Sequence, residues 1–514
     1  MRKKKLIYNT VSSLIYQIVT IVCGFILPRV ILNYYGSEVN GLVNSITQFL
    51  QIIAFLDLGI GAVVKTSLYK PLADGDNKQI SMIYCSADKF FKNLARILVI
   101  YIIILMIIYP NFIDVNFGIV YTITLIIAIG ISYFAQYYFG VVNGLLLTAN
   151  QQGYIQYIVQ TVTLIINTIA CVILIKIGVS IQIVKFTTAF IYLIRPLVLK
   201  IYVERKYNIN KKIKYDKEPI KQKWNGVAQH ITAVVIDGTD SIVLTIFSSL
   251  INVSIYGTYN LVVWGVKQIF MSLTNGIQSL IGELWAKEEF EELNKFYSWV
   301  EWIIHMGTVY VFACTVCLIV PFIQVYTRGI TDANYIQPFF AFMLVIANGI
   351  HCLRIPYVLI ILAVGHYKET QTNYIITAML NIVVSVVLVI KYGLIGVTIG
   401  TFISMFYQTV WMACYVSDNI IKSSKRNFVK LFFVDVLIFL LVFITNPYKY
   451  IHNLNYFIWL LMAIKVALIA LFILIIVNLI FYKNKIIILY NKIKKKKSFF
   501  ISFSHFFLKY YFIL

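Results

Sequence analysis

Charged side chains interrupt the long apolar stretches of this sequence at a few positions. A lone charge at the centre of a bilayer costs at least about 2.5 kcal/mol, so such a group normally faces a cavity or a partner of opposite charge. These residues are therefore candidates for a binding site, with structural ion pairs or snorkelling toward the interface as the alternative. The basic members are Arg29, Arg195, Lys267, Arg354 and Lys465, and the acidic members are Asp57, Asp237, Asp240 and Asp435.

Two of the acids are close in sequence. Asp237 and Asp240 are three residues apart and share one face of a helix. Two carboxylates in a low dielectric repel each other, so either one holds a proton near neutral pH or both share a cation. This pattern suits a proton-coupling or sodium-coupling site, with Asp57 as a further candidate. Pairing with Lys267 or Arg354 is the structural alternative. No metal site is predicted.

Composition explains why these charges matter. Apolar residues make up 60% of the 514 residues and charged residues 13%, about half the usual charged share of a soluble domain. A bilayer span needs roughly 20 apolar residues. The sequence therefore predicts an all-α polytopic membrane protein with about fourteen spans. The predicted spans are 11–32, 40–64, 93–112, 118–147, 154–175, 179–200, 226–249, 255–281, 299–325, 335–363, 372–391, 393–416, 429–446 and 455–482.

The basic residues support this count. If both termini are cytoplasmic, the inner segments hold 34 of the 44 Lys and Arg residues and the outer segments hold five. Basic residues stay on the cytoplasmic side of short loops, so one missed span would destroy this asymmetry. The formal net charge of +23 is therefore explained by topology rather than by nucleic-acid binding. Asp435 and Lys465 lie in the last two spans and are expected to pair with each other.

A weak internal repeat runs through the first twelve spans at an offset near 215. Residues 41–44 (GLVN) match 257–260 (GTYN), and residues 176–178 (KIG) match 391–393 (KYG). Six spans separate equivalent positions, so two parallel six-helix lobes are expected, followed by two extra helices. The predicted domains are 1–199 and 226–416 for the lobes, 200–225 for a basic cytoplasmic linker, 417–482 for the additional helices, and 483–514 for a basic cytoplasmic tail.

Three motifs resemble a known family. They are 56–61 (LDLGIG), 239–241 (TDS) continuing to 253–259 (VSIYGTY), and 354–357 (RIPY) with 365–368 (GHYK). The sequence resembles the polysaccharide repeat-unit flippases, the Wzx type, of the multidrug/oligosaccharidyl-lipid/polysaccharide exporter superfamily. The resemblance implies lobes that form a V around a cavity. It also implies export of a polyprenyl-diphosphate-linked oligosaccharide across the bacterial cytoplasmic membrane for surface polysaccharide such as capsule, beside membrane lipids and other polysaccharide-assembly proteins.

A diphosphate substrate gives the buried cations a role. Arginine and lysine can hold phosphate in a dry cavity, so Arg29, Lys267 and Arg354 are the predicted head-group site. Flipping needs no covalent step, the outer loops are too short for a catalytic domain, and neither an enzyme nor a cofactor is expected, apart from coupling to H⁺ or Na⁺. The alternatives are a lipid II-type flippase and a cation-coupled drug exporter of the same superfamily, the latter disfavoured by the buried cations.

Overall fold

The computed structural model describes residues 2–53, 60–112, 117–213, 227–272, 274–447 and 453–494, and this part of the chain is helical without strands. The helices are α1 (Arg2–Gln51), α2 (Ile60–Asp74), α3 (Asn77–Phe112), α4 (Ile119–Ala135), α5 (Val141–Ala149), α6 (Gly153–Ile177), α7 (Ile181–Lys206), α8 (Val227–Phe247), α9 (Leu250–Ser272), α10 (Thr274–Ala286), α11 (Phe290–Tyr326), α12 (Pro338–Leu353), α13 (Ile355–Val364), α14 (Tyr367–Tyr392), α15 (Leu394–Asn419), α16 (Lys425–Thr445), α17 (Tyr456–Phe481) and α18 (Lys483–Lys494). A π-helical turn, Gln136–Gly140, joins α4 to α5.

The all-α membrane fold predicted from the sequence is confirmed. Within the described ranges, twelve helices are long and apolar enough to cross a membrane. The first of these extends from Ile7 to Gln51, which covers one predicted span and half of the next, and α9 is not among the twelve. The exact number of fourteen spans therefore stays a prediction.

A sharp break divides α1 at Gly36. The backbone there has φ of 82° and ψ of 177°, a left-handed φ that favours glycine. Beyond the break, the Asp332 carboxylate accepts hydrogen bonds from the Ser37 backbone N–H at 2.6 Å and from the Ser37 hydroxyl at 2.8 Å. A Cβ at position 36 would lie 2.8 Å from Asp332 Oδ2. Asp332 thus caps the second half of α1 from a distant part of the chain.

The chain divides into two compact units. Unit 1 contains residues 1–261, 329–334 and 368–401, and unit 2 contains residues 262–328, 335–367 and 402–514. This division follows packing, whereas the predicted lobes follow the sequence repeat. The predicted lobe, linker and tail boundaries stay predictions, and most of the 200–225 linker and of the 483–514 tail lies outside the described residues.

Close helix packing in unit 1 depends on small residues. The second half of α1 runs against α8 and α9, where a Cβ at Gly41 would overlap the Leu250 carbonyl. One helical turn after Leu250 on α9, the Ser254 hydroxyl accepts a hydrogen bond of 2.8 Å from the Asn40 amide, and both side chains are buried. Small residues let backbones approach, and polar groups buried in apolar surroundings need such partners.

In unit 2, α11 is the central helix. It packs against α12, α13, α16 and α17 and buries aliphatic, aromatic and polar residues along most of its length. Near its start, the Trp302 indole N–H donates to Asn478 Oδ1 at 3.0 Å, which ties α11 to α17. α11 therefore holds the additional helices α16 and α17 against the rest of the unit.

Candidate functional site

The structure places two of the three predicted head-group cations together in unit 2. Lys267 lies on α9 and its side chain is buried. Arg354 lies where α12 gives way to α13 and is half-buried. Both side chains act electrostatically on the ring of His351, which lies one turn before Arg354. One buried and one half-buried cation therefore act on the same histidine.

The hydrogen bonds of Arg354 define the chemistry of this cluster. One guanidinium nitrogen donates to Gln408 Oε1 on α15. The other contacts His351 Nδ1 at 3.3 Å. Because a guanidinium can only donate, Nδ1 of His351 is the unprotonated nitrogen and the ring is neutral in this contact. The cluster offers an anion two positive charges, and Gln408 and His351 contact the one on Arg354.

Arg29, the third predicted cation, belongs to unit 1. It follows Pro28 on α1 and its side chain is half-buried. The sequence identified all three cations from their burial cost. It did not identify Gln408, whose side chain is fully buried on α15.

The buried acid Asp240 is the centre of an oxygen-rich cluster in unit 1. The Thr401 hydroxyl lies 2.9 and 2.8 Å from the two carboxylate oxygens, and the Tyr256 hydroxyl donates to Oδ2 at 3.0 Å. Asn381 donates its amide to Thr401 at 3.1 Å, while its own Oδ1 has no hydrogen-bond partner among the described residues. Oxygen ligands around one carboxylate suit a proton or a hard cation.

The other acids behave differently. Asp237 is exposed, whereas Asp240 is 2% exposed, so the two carboxylates that share a helix face differ in environment. Asp57 lies outside the described residues. Within the described ranges, no group of three or more His, Cys, Asp or Glu side chains is arranged to hold a metal ion.

The expected pair of Asp435 and Lys465 is wrong. Asp435 is buried on α16, and its Oδ2 lies 2.6 Å from Nδ1 of His305 on α11. Lys465 is exposed on α17. The sequence places both residues in the last two spans. Asp435 lies on the face of its helix that packs against α11, and Lys465 lies on an exposed face.

The arrangement of helices is that of membrane transporters. At 14% sequence identity, this chain superposes over 93% of its length on the whole of a lipid II flippase, MurJ, in an inward closed conformation, with a TM-score of 0.70. This likeness establishes the fold.

Multidrug transporters share the fold as well. An inward-facing multidrug resistance MATE family transporter of the MOP superfamily matches 78% of this chain over 95% of its own, at 11% identity and a TM-score of 0.59. An outward-facing structure of such a transporter matches 81% of this chain over 96% of its own, at 12% identity and a TM-score of 0.55. No protein-family model and no curated protein sequence matches this chain. The three solved structures described above are those of transporters.

Proposed function

We propose that this protein is a flippase that moves a polyprenyl-diphosphate-linked oligosaccharide across the bacterial cytoplasmic membrane by alternating access. The observation that carries the proposal is that buried Lys267 and half-buried Arg354 act on one histidine, within a fold that matches the whole length of a lipid II flippase. The chemistry requires a cavity for a charged head group while the lipid tail stays in the bilayer.

The cationic cluster supports a diphosphate head group. Arginine binds phosphate with two parallel N–H groups, and lysine adds a compact charge. Gln408 and His351 each accept a hydrogen bond from the Arg354 guanidinium. Arg29 is the proposed third contributor.

The Asp240 cluster supports a coupled transport cycle. A cation bound by Asp240, Thr401 and the free Oδ1 of Asn381 would neutralise the buried carboxylate. Either H⁺ or Na⁺ fits this donor set. We assign this cluster, rather than a pair formed with Asp237, to ion coupling.

A lipid II-type flippase is the second candidate, favoured by the match to MurJ over all of that chain. Both candidates use a diphosphate head group, so the cationic cluster serves either. A drug exporter for cationic compounds is disfavoured because Lys267 and Arg354 would repel such compounds.

The test is transport by the purified protein in liposomes. A fluorescent polyprenyl-diphosphate oligosaccharide, lipid II and a cationic dye are each placed on one side, and their movement is followed by quenching from the other side. We expect movement of the oligosaccharide-linked lipid, and competition by polyprenyl diphosphate. Movement of lipid II alone would establish the second candidate, and movement of the dye alone would overturn both.

The cellular setting follows from the same proposal. The protein would reside in the cytoplasmic membrane with both termini inside, beside the glycosyltransferases and polymerase of surface polysaccharide assembly. Disruption of its gene should then leave lipid-linked repeat units accumulated in the inner leaflet, and extraction and mass spectrometry of lipid-linked sugars would measure this. Wild-type levels of these lipids would contradict the proposed setting.

A further inference from the structure

A hydrogen-bonded chain of four titratable side chains runs through the interior of unit 2, apart from the cationic cluster and from Asp240. Asp435 Oδ2 lies 2.6 Å from His305 Nδ1. Nε2 on the other side of the His305 ring lies 3.1 Å from the Tyr357 hydroxyl. That hydroxyl donates to Glu301 Oε1 at 2.9 Å. The four residues come from three helices, α16, α11 and α13.

One end of the chain is sealed and the other is open. Asp435, His305 and Tyr357 are at most 2% exposed. Oδ1 of Asp435 has no hydrogen-bond partner among the described residues. Glu301, in contrast, lines a cavity of about 410 Å³. The lining of this cavity is polar and basic and includes Lys422, Lys430 and Lys485. A proton can therefore reach the buried pair from one side, through Tyr357.

The heavy-atom positions admit two proton arrangements. In the first, the His305 imidazolium donates through Nδ1 to Asp435 and through Nε2 to Tyr357, and Tyr357 donates to the Glu301 carboxylate. In the second, protonated Glu301 donates to the Tyr357 oxygen, and Tyr357 donates to Nε2 of a neutral His305 that still donates to Asp435. Passing from the first to the second moves the Nε2 proton to Tyr357 and the Tyr357 proton to Glu301. Three protons are present before and after, and no atom heavier than hydrogen changes partner.

We propose that Asp435, His305, Tyr357 and Glu301 form a proton-binding site in which one proton passes between the buried histidine and the cavity-facing carboxyl group. Every pair of neighbours in the chain lies within hydrogen-bond distance, as proton transfer requires. In the predicted orientation the cavity faces the cytoplasm. Coupling of this site to transport rests on the proposed function. Binding of a proton at the site does not depend on it.

The surroundings of the chain support proton exchange. Lys485 lines the same cavity, donates to the Ser298 carbonyl at 2.7 Å and interacts electrostatically with Glu301. Burial lowers the pKa of Lys485 to about 8, which lets its ammonium exchange protons near neutral pH. Among the described residues, the other titratable groups near these four are Tyr297 from α11, and Tyr482 and Lys485 from the segment after α17. Lys422 and Lys430 face Glu301 across the cavity that they line.

The competing explanation is that these hydrogen bonds only bridge the helices. Tyr357→Phe distinguishes such a bridge from a proton-binding site. This variant removes one oxygen atom and keeps the ring that packs edge-on against Phe428. Tyr310→Phe is the matched control, because Tyr310 lies on α11 and its hydroxyl contacts the Ala467 carbonyl at 3.3 Å, outside the chain.

The first readout is infrared difference spectroscopy of the protein in lipid nanodiscs between acidic and alkaline pH. Glu301→Gln identifies the carboxylic acid band of Glu301. We expect Tyr357→Phe and His305→Gln to move the midpoint of this band by about one pH unit or more, because coupled groups titrate as a unit, and Tyr310→Phe to leave it in place. A midpoint that is the same in wild type and in Tyr357→Phe would overturn the proposal.

The second readout is lipid transport in liposomes with and without a pH gradient. Tyr357→Phe should lose most of the acceleration that the pH gradient gives to transport by the wild type. If the pH gradient accelerates transport equally in Tyr357→Phe and in wild type, the hydrogen-bonded chain has no part in coupling. If wild type moves no lipid-linked sugar, the proposed function fails, while the infrared result still decides whether the proton site exists.

Discussion

The proposed head-group site depends most on Arg354. Its guanidinium contacts Gln408 and His351, and its charge acts on the same histidine as that of Lys267. Glutamine at position 354 would keep a polar side chain but remove the charge and the planar fork that binds phosphate in two places. Lysine would keep the charge and lose the fork.

We expect Arg354→Gln and Lys267→Gln each to abolish export, and Arg354→Lys to retain part of it, in a complementation assay with protein levels measured in the membrane. Lys391→Gln is the control, because Lys391 is an exposed lysine in the last turn of α14 in unit 1. Full export by both glutamine variants would place the head-group site elsewhere.

Asp240 gives a second prediction at the residue scale. Asp240→Asn keeps the size of the side chain and can still pair with the Thr401 and Tyr256 hydroxyls, so the fold should persist. Without a carboxylate the cluster cannot hold a cation, and transport driven by an H⁺ or Na⁺ gradient should slow at least severalfold. Asp418→Asn, at an exposed salt bridge with Lys425, serves as control. Equal rates with and without a gradient in Asp240→Asn and in wild type would make Asp240 structural.

Gly41 is critical for the packing of α1 against α9. A methyl group there would overlap the Leu250 carbonyl, a backbone atom that cannot rotate away. We expect Gly41→Ala to force the two helices apart and to cost about 1–3 kcal/mol of stability, as overpacking usually does. The measurement is the thermal unfolding midpoint of the purified protein.

Gly24→Ala is the matched control on the same helix, because a Cβ at Gly24 meets no atom within 4 Å. An alanine in a helix is slightly more favourable than a glycine, so this variant should unfold at the wild-type temperature or above. If Gly41→Ala behaves like Gly24→Ala, the close approach of α1 and α9 is not a feature of the protein in solution.

At the scale of the whole molecule, the internal repeat predicts a symmetry. Residues 9–200 should superpose on residues 225–416 with six membrane helices in the same order and the same orientation, related by a two-fold axis along the membrane normal. An experimental structure in a lipid environment would measure this superposition. An inverted relation, or an odd number of crossings between Asn9 and Asn225, would refute it.

The two matched motifs also meet in space. The sequence aligns Gly41 through Asn44 with Gly257 through Asn260, and in unit 1 the Asn44 amide lies 2.6 Å from where a Cβ of Gly257 would be. Segments related by a two-fold axis touch each other when they lie beside that axis. The glycines of both copies therefore have the same physical role, which is to let α1 and α9 approach.

The length and apolar composition of the spans were enough to predict that the described residues form membrane helices. The apolar stretches are long enough to span a bilayer, and in hydrocarbon a helix satisfies every backbone hydrogen bond within one segment. Composition also singled out Lys267, Arg354 and Asp240, because a charge inside such a stretch is costly whatever its neighbours are.

Which buried groups meet depends on helix packing that the sequence pattern does not specify. Asp435 contacts His305, 130 residues away, instead of Lys465, and Tyr357 continues the same chain toward Glu301. Such contacts depend on the rotation of each helix about its axis and on its height relative to neighbours. These follow from side-chain packing along whole helices, so a near-uniform apolar stretch such as α17 carries no local pattern that marks its inward face.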